Sequence, residues 1–190
     1  LQGDLISRIF LRAGGPVWLS AAWNGERANV AERRCGMEEQ LIETWNIHDR
    51  IHRYLLNAVQ PESLGAVSAS KGRNVGEQFA HVHNVRLMWL SAAAPDLVAG
   101  VEKIGKGAAI DKALLEASLQ ASARAIEAML RRSLESGGRM KGSKPHAVAF
   151  LGYLISHESH HRGQIVLTLK QAGHPVDKAT AYGLWEWGVR

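Results

Sequence analysis

The chain has 190 residues, enough for one ordinary domain with a sizeable core. A composition of 46% hydrophobic and 22% charged residues is that of a globular protein, and the net charge of +5 comes without a Lys/Arg run of the kind that marks a nucleic-acid arm. Cys35 is the one cysteine, which excludes an internal disulfide and a Cys-rich zinc site, and no apolar run approaches the roughly 20 residues of a membrane span. A reducing, cytoplasmic setting is therefore expected.

Residues 1–36 differ from the rest. Their basic residues are all Arg, they hold Cys35, and they contain none of the nine His. Arg8 and Arg12 interrupt the apolar positions around Leu5–Leu11, against a secretory signal. The expectation is a leader over residues 1–36, outside the core fold, with Met37 as the natural start and a domain over 37–190.

After Met37, Pro61, Pro95, Pro145 and Pro175 punctuate the sequence. Between them the apolar spacing predicts four helices. The first covers about 37–59, with Leu41, Ile47, Ile51 and Leu55 on one face. The second covers about 73–93, with Val75, Phe79, Val82 and Leu90. A long connection over roughly 94–110 follows, holding Gly100, Gly105 and Gly107. The third helix covers about 112–136, with Asp111 as its N-cap. The fourth covers about 145–172, with Pro145 in its first turn and Gly173 and Pro175 as stop signals. A short final element, Ala179–Trp187, is expected to pack its two Trp on the bundle. Strand alternation is absent, so the fold class is all-α, a four-helix bundle.

The fourth helix carries His157-Glu158-Ser159-His160-His161-Arg162-Gly163-Gln164-Ile165. With His157 at 0° and about 100° per residue, His161 falls near 40°, among Phe150, Leu154 and Ile165, while His160 falls near −60°. Two imidazoles at i and i+4 inside an apolar stripe can grip one metal ion, since their Cβ atoms lie about 5–6 Å apart. A third ligand has to come from a facing helix. His81, His83, or His48 with His52 are the candidates, and spacing leaves the choice open. Asp49, Arg50 and Arg53 around His48 and His52 suggest a partly solvated face there. His146 and His174 stand at helix ends as surface or capping residues. The match of His157, Glu158 and His161 to H-E-x-x-H is short, and without strands to align a peptide a zinc protease is disfavoured.

The fourth-helix stretch resembles the motif of the DinB/YfiT-like superfamily. There the ligands are the first His and the one four later, which correspond to His157 and His161. Phe79-Ala80-His81-Val82-His83 through Trp89-Leu90 is similar to the second-helix motif, whose His-to-Trp spacing selects His81 as third ligand over His83. The resemblance covers about residues 37–190. It implies a bundle with a three-His divalent metal site, zinc or nickel, often in a homodimer. It also implies thiol chemistry, since characterised relatives use bacillithiol, mycothiol or glutathione. Other members are induced by DNA damage.

On that basis the leading expectation is transfer of a small thiol to an electrophile, as an S-transferase or a thiol-dependent isomerase. Glu158 is then the candidate proton acceptor or supporting partner. Arg86 and Arg162 are the candidates for binding the carboxylates of the thiol. The alternatives are a hydrolase using metal-bound water and a non-catalytic metal-binding stress-response bundle. Neither a nucleic acid nor a membrane is an expected partner.

Overall fold

A computed structural model describes the backbone of residues 17–142 and 145–190, and the side chains of residues 36–142 and 145–190. Regular structure among the described residues is helical: α1 (Val17–Ala58), α2 (Val75–Ala93), α3 (Lys112–Glu135), α4 (Ala147–Gln171) and the short α5 (Lys178–Gly183). Turns of 3-10 helix stand at Pro61–Gly65 and Pro95–Val98. The chain forms two compact units, Leu1–Glu39 and Gln40–Arg190. The second holds the four-helix bundle, to which α1 contributes from Gln40 onward.

Helix α1 extends well upstream of the expected start near residue 37. No proline occurs between Pro16 and Pro61, so nothing in that stretch imposes a stop. Of the expected leader, residues 1–16 and the side chains of 17–35 lie outside the described residues.

The caps explain the other boundaries. Asn74 opens α2 with a capping box: its Oδ1 accepts from the Glu77 N–H at 2.8 Å, and Glu77 Oε2 accepts from the Asn74 N–H at 2.9 Å. Asp111 caps α3 as expected, accepting from the Leu114 N–H at 2.7 Å. Helix α4 starts two residues later than predicted. His146 takes the cap position, its Nδ1 accepting from the Ala149 N–H at 3.2 Å, so Pro145 stands outside the first turn. Gly173 closes α4 at φ +83°, and the His174 N–H reaches the Leu169 carbonyl at 2.9 Å, the αL exit that glycine allows.

All four long helices feed two apolar clusters. Trp45, Leu87, Leu90, Ile126, Phe150 and Leu154 fill one. Leu55, Phe79, Val82, Leu115, Leu119 and Ile165 fill the other. Each large side chain buried here contributes about 1.5–3 kcal/mol. In each helix buried polar residues stand between the two clusters: His48, Asp49 and His52 of α1, His83 and Arg86 of α2, Ser122 of α3, Glu158 and His161 of α4. A polar layer thus crosses the middle of the bundle, and the candidate site opens from it.

Candidate metal centre

Helix α2 presents His81 and helix α4 presents His157 and His161. The ring centroids of His81 lie 5.5 Å from His157 and 4.6 Å from His161, and those of the α4 pair lie 4.7 Å apart. One ring nitrogen from each can be chosen so that all three lie within 4.8 Å of one another. Bonds of about 2.0–2.1 Å put two ligand atoms on one ion at most about 4.2 Å apart, so a small closure of the rings completes the fit. Among the described residues no Asp, Glu, Cys or further His joins the three. Gln164, one turn beyond His161, lies 2.9 Å from its Nδ1 through Oε1. Its carbonyl can accept only from an N–H, so Nδ1 carries the proton and Nε2 keeps its lone pair for a metal. Tyr153 stacks on His157 with centroids 5.8 Å apart, and Trp89 packs edge-on against Tyr153 and Phe150. His157 Nδ1 is buried with no hydrogen-bond partner, a cost that a ligated ion would remove. The donor set of three imidazoles suits zinc or nickel.

The model of the DinB family matches residues 34–188. The chain belongs to the DinB family. No curated protein and no solved structure matches it. The second-helix spacing of the family singles out His81, and His81 is the α2 histidine that lies with His157 and His161. His83 of this DinB-family protein is turned the other way, its Nε2 donating to the Glu102 carbonyl at 2.9 Å. His160 is exposed beside His161, as the helical wheel places it.

All three converging imidazoles are held neutral. Burial lowers the pKa of His81, helped by the charge of Arg73 and by His157. Burial also lowers that of His157. At His161, burial together with His157 and His81 takes it down to about 4. A neutral imidazole is the form that binds metal, so no proton has to be displaced at neutral pH. His81 also lines a cavity of about 880 Å³, with Arg73, Asn84, Lys103, Lys106 and Ile110 in its wall.

The other three expected site residues of this DinB-family chain lie elsewhere. Glu158 is 1% exposed and both its oxygens are engaged. Arg86 Nε donates to Oε1 at 2.8 Å and Arg86 Nη2 to Oε2 at 2.6 Å, while His48 Nε2 lies 3.1 Å from Oε2. Burial by itself would raise the Glu158 pKa, but Arg86 and His48 hold it well below the ordinary value. A carboxylate so stabilised in its charged form is a poor proton acceptor, so of the two roles expected for Glu158 the proton acceptor is corrected and that of a supporting partner is left. Arg86 is fully buried, with Nη1 donating to Asp49 at 2.9 Å and to the Leu119 carbonyl at 3.0 Å. Four of its five N–H donors are taken and the side chain is out of reach of a soluble thiol, so its expected cofactor role is corrected too. Arg162 is half-buried on another face, giving Nη2 to Ser159 Oγ at 2.8 Å, with Nη1 3.5 Å from His48 Nδ1. The structure does not bring it to the three histidines.

His48 and His52 are fully buried rather than partly solvated. Of the residues that suggested a wet face, Asp49 is buried and takes Arg86, while the partly exposed Arg53 bridges Asp49 and Glu116. His48 serves Glu158, and His52 sits edge-on to Phe79 with its ring centroid at 5.3 Å. Burial keeps His52 neutral, well below its ordinary pKa. No ligand set forms around this pair among the described residues. Sequence reasoning missed Gln164, whose i+3 spacing from His161 on one helix face was a usable signal. It also missed Arg73 of the cavity wall, which stands in irregular backbone before α2 with no periodicity to point to it.

Proposed function

We propose that this DinB-family protein is a divalent-metal enzyme that transfers a small thiol to an electrophile, as an S-transferase or a thiol-dependent isomerase. His81, His157 and His161 would hold the ion, zinc or nickel. The observation that supports this most is the three-His set with no fourth Asp, Glu, Cys or His among the described residues, and with His81 facing a cavity of about 880 Å³. Three protein ligands are the catalytic pattern, whereas structural sites are closed by four. A divalent ion held there would favour the thiolate, the competent nucleophile at neutral pH. The chain's own part is to keep the imidazoles neutral by burial, to orient His161 through Gln164 and to brace His157 against Tyr153. A homodimer is part of the same proposal. No helix among the described residues is long and apolar enough to cross a membrane.

The test is metal analysis of protein purified without an affinity tag, followed by assays with a thiol and an activated aryl halide. One zinc or nickel per chain and thiol consumption that disappears in His161→Ala are expected. Metal-free wild-type protein that cannot be reloaded, or turnover unchanged by His161→Ala, would reject the reading. Turnover of an ester without thiol would favour the hydrolase instead.

A further inference from the structure

We infer that the ligand reaching the three-histidine centre carries an anionic group, a carboxylate or a phosphate, and that Arg73, Lys103 and Lys106 bind it. The inference rests on reading that centre as the substrate site, and names the class of molecule that enters it. The starting point is the charge of the cavity that His81 faces. Its wall contains Arg73, Lys103 and Lys106 against one acidic residue, Glu77. The Glu77 carboxylate already accepts from the Asn74 N–H in the α2 capping box. Arg73 also forms part of a second cavity of about 460 Å³, together with Lys71 and with Gln164, the residue that orients His161. That second wall has no acidic residue at all. Arg73 therefore borders both the cavity that His81 lines and the one that Gln164, the partner of His161, lines.

Part of the positive charge of this protein is taken up in ion pairs. Arg50, Arg53, Arg86, Arg132 and Arg190 each meet a carboxylate. Arg73, Lys103 and Lys106 meet none among the described residues. Cations gathered around one concave wall without a counter-ion raise its potential and concentrate anions in it. Arg is the side chain best shaped for a carboxylate or phosphate, through two parallel N–H donors.

The wall is also fixed to the helix that bears His81. The connection carrying the two lysines is pinned to α2 at consecutive residues. His83 Nε2 donates to the Glu102 carbonyl at 2.9 Å, Asn84 Nδ2 donates to the Ile104 carbonyl at 2.9 Å, and Asn84 Oδ1 accepts from the Ile104 N–H at 3.0 Å. Lys103 lies between the two pinned residues, and Ile104 is buried. On the other side, Lys71 at φ +65° and Gly72 at φ +102° turn the chain just before Arg73 and the α2 cap. A left-handed Lys is uncommon, and its cost is offset where the adjoining helix cap fixes the turn. The backbone of both cationic segments is thus set relative to His81, which is what a binding wall requires and a solvated loop does not.

The test uses zinc-loaded full-length protein and calorimetric titration with succinate, its uncharged diamide succinamide, and inorganic phosphate. Succinate or phosphate is expected to bind at least about tenfold more tightly than succinamide, and Arg73→Gln to lose about tenfold, the loss of one charge-assisted hydrogen bond. Lys103→Gln and Lys106→Gln should each weaken binding less, and added salt should weaken it further. Whichever of succinate and phosphate binds more tightly identifies the anion. Metal content and thermal unfolding of the three variants should match wild type, since these side chains are exposed. Equal binding of succinate and succinamide, or unchanged binding in Arg73→Gln and in the triple Gln variant, would overturn the inference. Cobalt-loaded protein separates this from the thiol proposal, because thiolate ligation gives a charge-transfer band. Mercaptosuccinate and 2-mercaptoethanol producing equal bands at equal affinity would refute the anion site and leave thiol binding standing. No band with either thiol, beside Arg73-dependent binding of succinate or phosphate, would refute thiol transfer and support the anion site.

Discussion

At His161, burial and the neighbouring His157 and His81 bring the imidazole pKa from 6.5 to about 4. A histidine whose folded value lies below its unfolded value contributes stability fully above the unfolded value and loses it as pH falls toward the folded one. The window for His161 therefore runs from about pH 6.5 down to about 4. Metal-free wild-type protein is expected to lose resistance to urea progressively across that window. His52, also held neutral by burial, works in the same direction, so the informative quantity is the difference between wild type and His161→Gln. The variant should show the shallower slope, and identical slopes would mean that His161 is not held neutral in this way. Metal content tests the same residues differently. Replacing His81, His157 or His161 by Ala should abolish stoichiometric metal, while His160→Ala and His83→Ala should retain it. Gln164→Leu should weaken metal binding by about 10–100-fold, because the partner that fixes the His161 tautomer is gone. Metal retained in His157→Ala would show that the three nitrogens do not act as one site.

Between elements, the Arg86–Glu158 pair has a position that its burial alone does not convey. Arg86 lies five residues after His81 on α2, and Glu158 follows His157 on α4. The pair therefore clasps the two helices that supply all three imidazoles. Removing one partner of a buried ion pair strands the other charge, so Glu158→Ala is expected to destabilise the protein by about 3–5 kcal/mol. Its metal affinity should fall as well, as the α2–α4 register loosens. A catalytic base would behave differently, with Glu158→Gln retaining stability and metal and losing turnover alone. Urea titration of both variants distinguishes the two. Glu158 also shows where sequence stops being informative. Apolar periodicity and caps made α2, α3 and α4 legible almost to the residue, and the wheel placed His157 and His161 on one face. The centre was legible because two of its ligands share a helix and the family spacing supplied the third. The polar layer was not, because each helix contributes only one to three residues to it and their meeting depends on the tertiary register. Asp49 read as solvated for that reason. Within a single helix, nothing distinguishes a charge pointing to water from one pointing to Arg86.

At the scale of the whole molecule, among the described residues those of both core clusters and the three histidines lie at position 41 or beyond. A chain beginning at Met37 is therefore expected to unfold cooperatively and to keep its metal. Insolubility or loss of a cooperative transition would place residues 1–36 in the core. The opposite end of the sequence bears on association. The two Trp after α5 were expected to pack on the bundle, but Trp185 is 80% exposed and only Trp187 is partly covered. With Leu184, Val166 and the 53% exposed Leu167 they line an apolar groove of about 510 Å³. Monomers rarely leave a contiguous patch of this kind in water, and burying one large side chain contributes about 1.5–3 kcal/mol. A two-fold contact would bury each such residue twice, once per copy. The proposed homodimer is accordingly expected to use this face. Sedimentation at micromolar concentration should give twice the chain mass of 20.8 kDa for wild type and the single chain mass for Trp185→Lys. Metal content should be unchanged by that substitution, because no residue of this groove lies among the three histidines. A wild-type protein that sediments as a single chain would reject the dimer, and a Trp185→Lys variant that remains paired would move the interface to another face.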